Sequence, residues 1–365
     1  MKKTLFGLLA LVMALVIVSC SDSAQEAAPG EKGAGKKDSA KKGSQVLHLY
    51  TWGDYTSMDV VKEFEKEYNC KVQIDTFDSN ESMYAKLQSG ASGYDVIVPS
   101  SYTAKMMFEE GMLEPIDKSQ LPNVTKYFDN SYSRLLLDKD FAYAVPYTVS
   151  ITGIGYNSER IHDFQPSWHM FEREDLKKRT SLLDDQRELI GAALATLGYS
   201  VNTTDAKQID EALVLIAKWK KNIAKFGVDD CKMSLANGEF VMIQTYNGDM
   251  LQIISEKPEI RFVIPKEGST TTFDCFAIMK KSENKQLAHQ FIDFMYRTEN
   301  AVMTMNEIMY VMPHSEAVGK VDAELKSNPA FNLSVEDRAR CTPLDYLGDK
   351  KVLFDKAWDK VKSEE

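Results

Sequence analysis

The chain has 365 residues, 44% of them hydrophobic and 27% charged, an ordinary globular balance that excludes a disordered or fibrous protein. Its 44 Lys plus Arg against 54 Asp plus Glu give a net charge of −10. Seven lysines and four acids fall in the first 44 residues, leaving residues 45–365 with 37 bases, 50 acids and a net −13. So acidic a body lacks the basic patch that nucleic-acid binding needs, and it is long enough for two cores.

The N-terminus reads as an address. Lys2 and Lys3 precede an apolar run from Leu5 to Val18, which ends Ile17-Val18-Ser19-Cys20. This is the pattern of a signal peptide over 1–19, and a small residue before Cys after an aliphatic three back resembles the bacterial lipobox. Cys20 is the expected lipidation site and new N-terminus. Residues 20–44, rich in Ser, Ala, Gly and Lys, are expected to be a flexible tether. The expected location is outside the cytoplasm, lipid-anchored to a bacterial membrane and facing the periplasm or cell exterior. No later run reaches about 18 apolar residues, so the anchor is the only membrane contact expected. Cys70, Cys231, Cys275 and Cys341 are expected to be buried free thiols.

In the body, Val46–Trp52 alternates as a strand does, and Met58–Tyr68 places Val61, Phe64 and Tyr68 on one helical face. Lys71–Phe77 is a second strand. A helix begins over 82–87, Asp95–Pro99 suits a buried parallel strand, and a helix over Ala104–Glu110 stops at Gly111. Strands follow at Phe141–Val149, Thr152–Tyr156 and Ser181–Leu183, then helices over Arg187–Leu197 and Asp205–Phe226. Phe240–Tyr246, Ile260–Pro265 and Phe273–Met279 are strands, and Leu287–Tyr296 opens a long amphipathic helix. The alternation points to two α/β lobes, each a mostly parallel sheet flanked by helices, with a ligand cleft between them. The expected lobes are 45–152 plus 275–332 and 153–274 plus 333–365.

None of the five histidines forms a metal-ligand pattern, and there is no GxSxG elbow or phosphate loop. Gly153-Ile-Gly155 has Ser158 where a dinucleotide fingerprint has its third glycine, and it reads as two small residues near a hinge. Neither a metal nor a cofactor is expected. What the strand ends do carry is aromatics beside carboxylates: Trp52-Gly53-Asp54-Tyr55, Ser100-Ser101-Tyr102, Asp184 to Glu188, Tyr246-Asn247-Gly248-Asp249 and Phe273-Asp274. Ligands of open α/β sheets bind at such ends. Carboxylates with ring faces suit an organic cation, through charge-assisted hydrogen bonds and cation–π attraction.

YTWGDY (50–55), FDSNESMYAKLQSG (77–90), YDVIVPSSY (94–102), AVPYTVSITGIGYN (144–157), DDQRE (184–188) and PKEG (265–268) stand in the order of a known family. Over about residues 45–360 the chain resembles the polyamine-binding receptors of bacterial spermidine/putrescine ABC importers. The resemblance implies a two-lobed periplasmic-binding-protein fold of type II, monomeric, closing over a polyamine and presented to ABC permease subunits. Position by position, Trp52 and Tyr55 resemble the first-strand wall of the cleft, and Ser100 and Tyr102 the contacts of the VPS loop. Asp185 and Glu188 resemble amine-binding carboxylates, Asp274 the central acid, and Tyr310 an aromatic lid. Tyr246 stands where the family usually has Trp. Asp54 and Asp249 resemble the putrescine-selective branch, whereas Gly53, Thr272 and the region of Leu344 and Asp345 depart from the pattern. The expectation is therefore putrescine as the better ligand, with spermidine also bound. Rival readings are a receptor for another organic cation, an acid/base hydrolase using Asp185 and Glu188, and a surface lipoprotein that no longer serves transport.

Overall fold

Residues 45–363 are described by a computed structural model. The expected signal peptide, Cys20 and the tether lie outside the described residues. Ten strands form one connected sheet: β1 (Gln45–Trp52), β2 (Cys70–Phe77), β3 (Val96–Ile97), β4 (Val145–Asn157), β5 (Thr180–Leu182), β6 (Lys225–Phe226), β7 (Met242–Tyr246), β8 (Ile260–Val263), β9 (Ser269–Ile278) and β10 (Cys341–Pro343). Their order is β2-β1-β3-β9-β4-β7-β5-β6, with β10 beside β9 and β8 beside β4. Pairing is parallel within β2-β1-β3 and within β7-β5-β6, as the strand–helix alternation implies. The middle is antiparallel: β9 runs against β3 and β4, and β4 against β7.

β4 joins the two parallel sets. Residues 145–151 pair with β9, and from Thr152 the strand transfers to β7 and β8. The sequence suggests two strands here, broken near Ser150. The structure has one, because the hydroxyls of Thr148, Ser150 and Thr152 are buried and hydrogen-bonded rather than turned into a solvated loop. Gly153 is required by close packing: a Cβ there would stand 2.5 Å from the Val263 carbonyl oxygen and from the Phe262 ring. Two further boundaries differ from expectation. The helix expected over 205–226 ends at Lys220, and the chain turns into β6. β9 begins four residues before Phe273, since Ser269 to Thr272 are buried β-formers, so Asp274 lies in mid-strand rather than at its start.

Helices cover the sheet where their apolar faces dictate. Helix Met58–Tyr68 starts at Ser57, whose Oγ accepts from Val60 N at 3.3 Å, and ends at Asn69 in the left-handed region. It buries Phe64 against Phe291 and Phe294. Leu47 and Leu49 face that core, while Tyr50, the next residue along β1, faces a second core with Phe77, Ile97 and Met107. A third core, around β5 and β7, gathers Trp168, Leu182, Leu189, Trp219 and Phe354. Among the described residues no helix is long and apolar enough to cross a membrane. Cys70, Cys231, Cys275 and Cys341 are buried and unpaired.

Candidate ligand-binding site

A cleft of about 800 Å³ opens beside the antiparallel pair β4 and β9, where the chain passes from one parallel set to the other. Its wall includes Asp274 in mid-β9, Ser150 in β4, the ends of β1 and β7, and the first turns of several helices. Nine carboxylates line it: Asp78, Glu81, Asp184, Asp185, Glu188, Asp229, Asp230, Asp249 and Asp274. Lys362 is the one lysine among the lining residues, and it is bound to Asp184 at 2.7 Å.

Asp274 is held by three hydroxyls. Ser100 Oγ donates to its Oδ1 at 2.8 Å; Tyr55 OH and Ser150 Oγ donate to its Oδ2 at 2.7 and 3.0 Å. Asn80, from the FDSN segment, fixes the Ser100 loop: its Oδ1 accepts from Ser100 N at 3.0 Å and its Nδ2 donates to Ser100 Oγ at 3.1 Å. Burial raises the Asp274 pKa and the three hydroxyls oppose that rise. Asp185 caps helix Gln186–Thr196, accepting from the backbone of Arg187 and Glu188 at 3.0 and 3.1 Å, and Tyr246 OH reaches its other oxygen at 3.3 Å. Capping and cleft exposure of a second oxygen coexist in this one side chain. Glu188 Oε2 accepts from Thr152 at 2.7 Å and from Thr270. Burial, then the neighbouring Asp185, pushes its pKa up to about 8; the same two causes bring Glu81 to about 7. Burial brings Asp249 to about 6. Carboxylates crowded in this way favour either protons or a bound cation.

Aromatic rings complete the walls. Trp52 is oriented by its Nε1, which donates to the Val98 carbonyl at 2.8 Å, and by Phe77, with ring centres 4.5 Å apart. Tyr310 donates to Asp249 Oδ1 at 3.0 Å and meets the Tyr55 ring edge-on at 4.8 Å. It lies directly on Gly248, where a Cβ would stand 2.2 Å from its ring. The structure thus brings Trp52, Tyr55, Ser100, Asp185, Glu188, Tyr246, Asp249, Asp274 and Tyr310 to one cleft.

Asp54 and Tyr102 lie off its lining. Asp54, in a left-handed turn at φ 49°, points out to solvent and pairs with Lys232 at 3.5 Å. Tyr102 turns from its helix to a smaller side pocket and accepts from Asn80 Nδ2 at 3.2 Å. Reading by strand ends missed Glu81 and Asp229, which sit in helix first turns and look like solvated capping acids. It also missed Trp358 and Lys362, which lie on the C-terminal helix Lys351–Ser363. Lys232 had no sequence signal. Its side chain is 6% exposed, donates to Gln252 Oε1 at 2.9 Å and lies 3.5–3.8 Å from Asp54, Asp229 and Asp249. Burial pulls its pKa down, but Asp249, Asp229 and Asp54 together hold it above its ordinary value.

Residues 59–332 match the family model described as "Bacterial extracellular solute-binding protein". The putrescine-binding periplasmic protein PotF of Escherichia coli (strain K12) is 33% identical over 341 residues, which cover 87% of this chain and 92% of the relative. Among solved structures, a putative spermidine/putrescine ABC transporter from Listeria monocytogenes superposes with a TM-score of 0.83 at 33% identity, covering 88% of this chain and 99% of the other. The TpPotD lipoprotein of Treponema pallidum superposes with a TM-score of 0.78 at 34% identity, covering 87% and 99%. The fold is that of the type II periplasmic binding proteins. With three quarters of its length matched to that model and a cleft built beside the paired strands β4 and β9, the chain belongs to the bacterial extracellular solute-binding proteins.

Proposed function

We propose that the chain is the polyamine receptor of an ABC importer, capturing putrescine and spermidine between two lobes that hinge on β4 and β9. The observation that carries this reading is the charge of the cleft, nine carboxylates against a lysine that is already paired. Burying an ammonium costs several kcal/mol unless a partner replaces its water, so such a cleft selects ligands with several positive charges. The names of the relatives, putrescine-binding and spermidine/putrescine transporter, support the same ligand class.

Asp274 takes one ammonium in this reading, and the Asp185/Glu188 pair takes another. Trp52, Tyr246 and Tyr310 cover the methylenes between, and Tyr55, Ser100 and Ser150 aim Asp274 and favour its charged form against the effect of burial. Asp249 serves the Tyr310 end, where Lys232 already supplies one positive charge from behind. Asp54 and Tyr102 act at second hand, Asp54 on Lys232 and Tyr102 on the Asn80 anchor. The lobes are 45–152 plus 275–332 and 153–274 plus 333–365. A ligand touching both favours their closed arrangement by its differential affinity for it, and permease subunits read that arrangement. Cys20 anchors the monomeric receptor to a bacterial membrane, facing the periplasm or cell exterior, a reading in keeping with the lipoprotein named among similar structures.

The hydrolase alternative is disfavoured by the relatives, which are named as binding proteins, and by the match to the solute-binding family model. A receptor for another organic cation is separated by thermal shift with a ligand panel. Putrescine and spermidine are expected to raise the melting temperature, and butylamine and choline to leave it near the ligand-free value. Equal shifts from choline would move the assignment to quaternary amines.

A further inference from the structure

Lys232 is a buried cation at one end of the acidic cleft, on helix Asp229–Ala236. Its ammonium lies 3.5 Å from Asp54, 3.8 Å from Asp229 and 3.8 Å from Asp249, and it donates to Gln252 Oε1 at 2.9 Å. Asp54 follows β1, in the β2-β1-β3 set. Asp229, Asp249 and Gln252 stand on helices that follow β6 and β7, in the β7-β5-β6 set. One lysine ammonium therefore bridges the two parallel sets of strands. Gln252 carries the tie further: its Nε2 donates to the Ile308 carbonyl at 3.0 Å, two residues before Tyr310, whose hydroxyl donates to Asp249.

The cleft acids thus fall into two groups. Asp229 and Asp249 line the cleft and have Lys232 behind them, so their charge is balanced from within the chain. Asp274, Asp185 and Glu188 have only hydroxyl and backbone N–H hydrogen-bond partners among the described residues, and no ion pair. A buried carboxylate without a cation is the group that gains most from one.

Building on the polyamine reading of the main cleft, we propose that Lys232 determines specificity as the resident cation of the site: its ammonium fills an amine subsite made by Asp54, Asp229 and Asp249, and so confines the ligand's ammonium groups to Asp274, Asp185 and Glu188. Asp274 and the Asp185/Glu188 pair are then two open positions, which a diamine fills. A triamine brings one charge more than Lys232 leaves places for. Because Lys232 joins the two sets of strands, it also holds this end of the cleft together before any ligand arrives.

The fragment that Lys232→Ala removes is propylamine, so free propylammonium is the probe. Thermal unfolding of the full chain is followed in about 100 mM propylammonium chloride and in sodium chloride at the same concentration. The rise given by propylammonium over sodium is expected to be larger in Lys232→Ala than in the parent by at least about 2 °C, because only the variant has the subsite vacant. That excess is expected to disappear when Asp249→Asn is added to the variant. Lys232→Met keeps the apolar stem and vacates only the place of the ammonium. Its spermidine-to-putrescine affinity ratio by calorimetry is expected to rise about tenfold, as the third ammonium of spermidine enters that place. Equal responses of Lys232→Ala and the parent to propylammonium overturn the proposal, as does an unchanged ratio in Lys232→Met, which decides alone where Lys232→Ala does not fold. Either result with both polyamines bound by the parent removes this inference only. Failure of the parent to bind putrescine and spermidine removes the reading of the main cleft with it.

Discussion

Glu188 shows how the site sets stability against binding. Its pKa in the folded chain, about 8, stands above the ordinary 4.5, so between these values the native state binds a proton that the unfolded state has released. The contribution of Glu188 to the stability of the ligand-free protein therefore falls as pH rises through that window, and it is most favourable on the acid side. Glu188→Gln abolishes this term. The variant is expected to melt higher than the parent at pH 8 without ligand, to match it near pH 4.5, and to bind putrescine more weakly. Melting curves at both pH values check the sign. Lys232 is a tethered ammonium in the midst of Asp54, Asp229 and Asp249. Lys232→Met is expected to lower stability and to shift selectivity toward the triamine, whose third charge replaces the one removed. An unchanged spermidine-to-putrescine affinity ratio would show that Lys232 has no part in ligand choice. The readable residues were those at strand ends, such as Trp52, Asp185 and Tyr246, where a ring or an acid ends a strand or closely follows it. Glu81 and Lys232 were not readable, because the neighbours that make them part of the cleft, Asp185 for Glu81 and Asp54 and Asp249 for Lys232, come from segments distant in the chain.

At the level of elements, the cleft is organised by short loops that one side chain holds. Asn80 grips the Ser100 loop through two hydrogen bonds, and Ser100 in turn grips Asp274. Asn80→Ala leaves the buried Ser100 N–H without its acceptor, a loss of about 1–3 kcal/mol. The variant is expected to unfold at lower urea concentration and to bind polyamine more weakly, because Asp274 loses a fixed donor. Equal affinity in Asn80→Ala would place the Ser100 loop outside the binding apparatus. Helix Met58–Tyr68 was legible from periodicity, since it presents one apolar face to a core, and strand β1 from its alternation and aromatic content, although both of its faces are covered. Most of β4 was legible as two strands, but its continuity through Ser150 and the start of β9 were not. Ser150, Thr152 and Thr270 look like loop residues, yet they are buried with their hydroxyls on Asp274 and Glu188. The C-terminal helix was passed over although it brings Trp358 and Lys362 to the rim, since nothing local links it to a site built some 80 residues earlier.

Across the whole molecule, two parallel sets of strands meet at the long antiparallel pair β4 and β9, and the acids converge at that crossing. The net −13 of residues 45–365 surrounds the crossing with a field that attracts cations, an effect that salt weakens. The strand–helix alternation made the α/β class legible, while the antiparallel middle is a property of chain crossing that periodicity does not encode. The central claim is that buried carboxylates at the crossing replace the water of a slender polycation. Its most direct test is calorimetry of putrescine binding to the parent protein and to Asp274→Asn, which keeps the shape of the side chain and removes its charge. The expected result is one putrescine bound per parent chain, with a loss of at least about 2 kcal/mol in the variant at an unchanged circular dichroism spectrum. Equal affinity of the two proteins, or no binding by the parent, would contradict it.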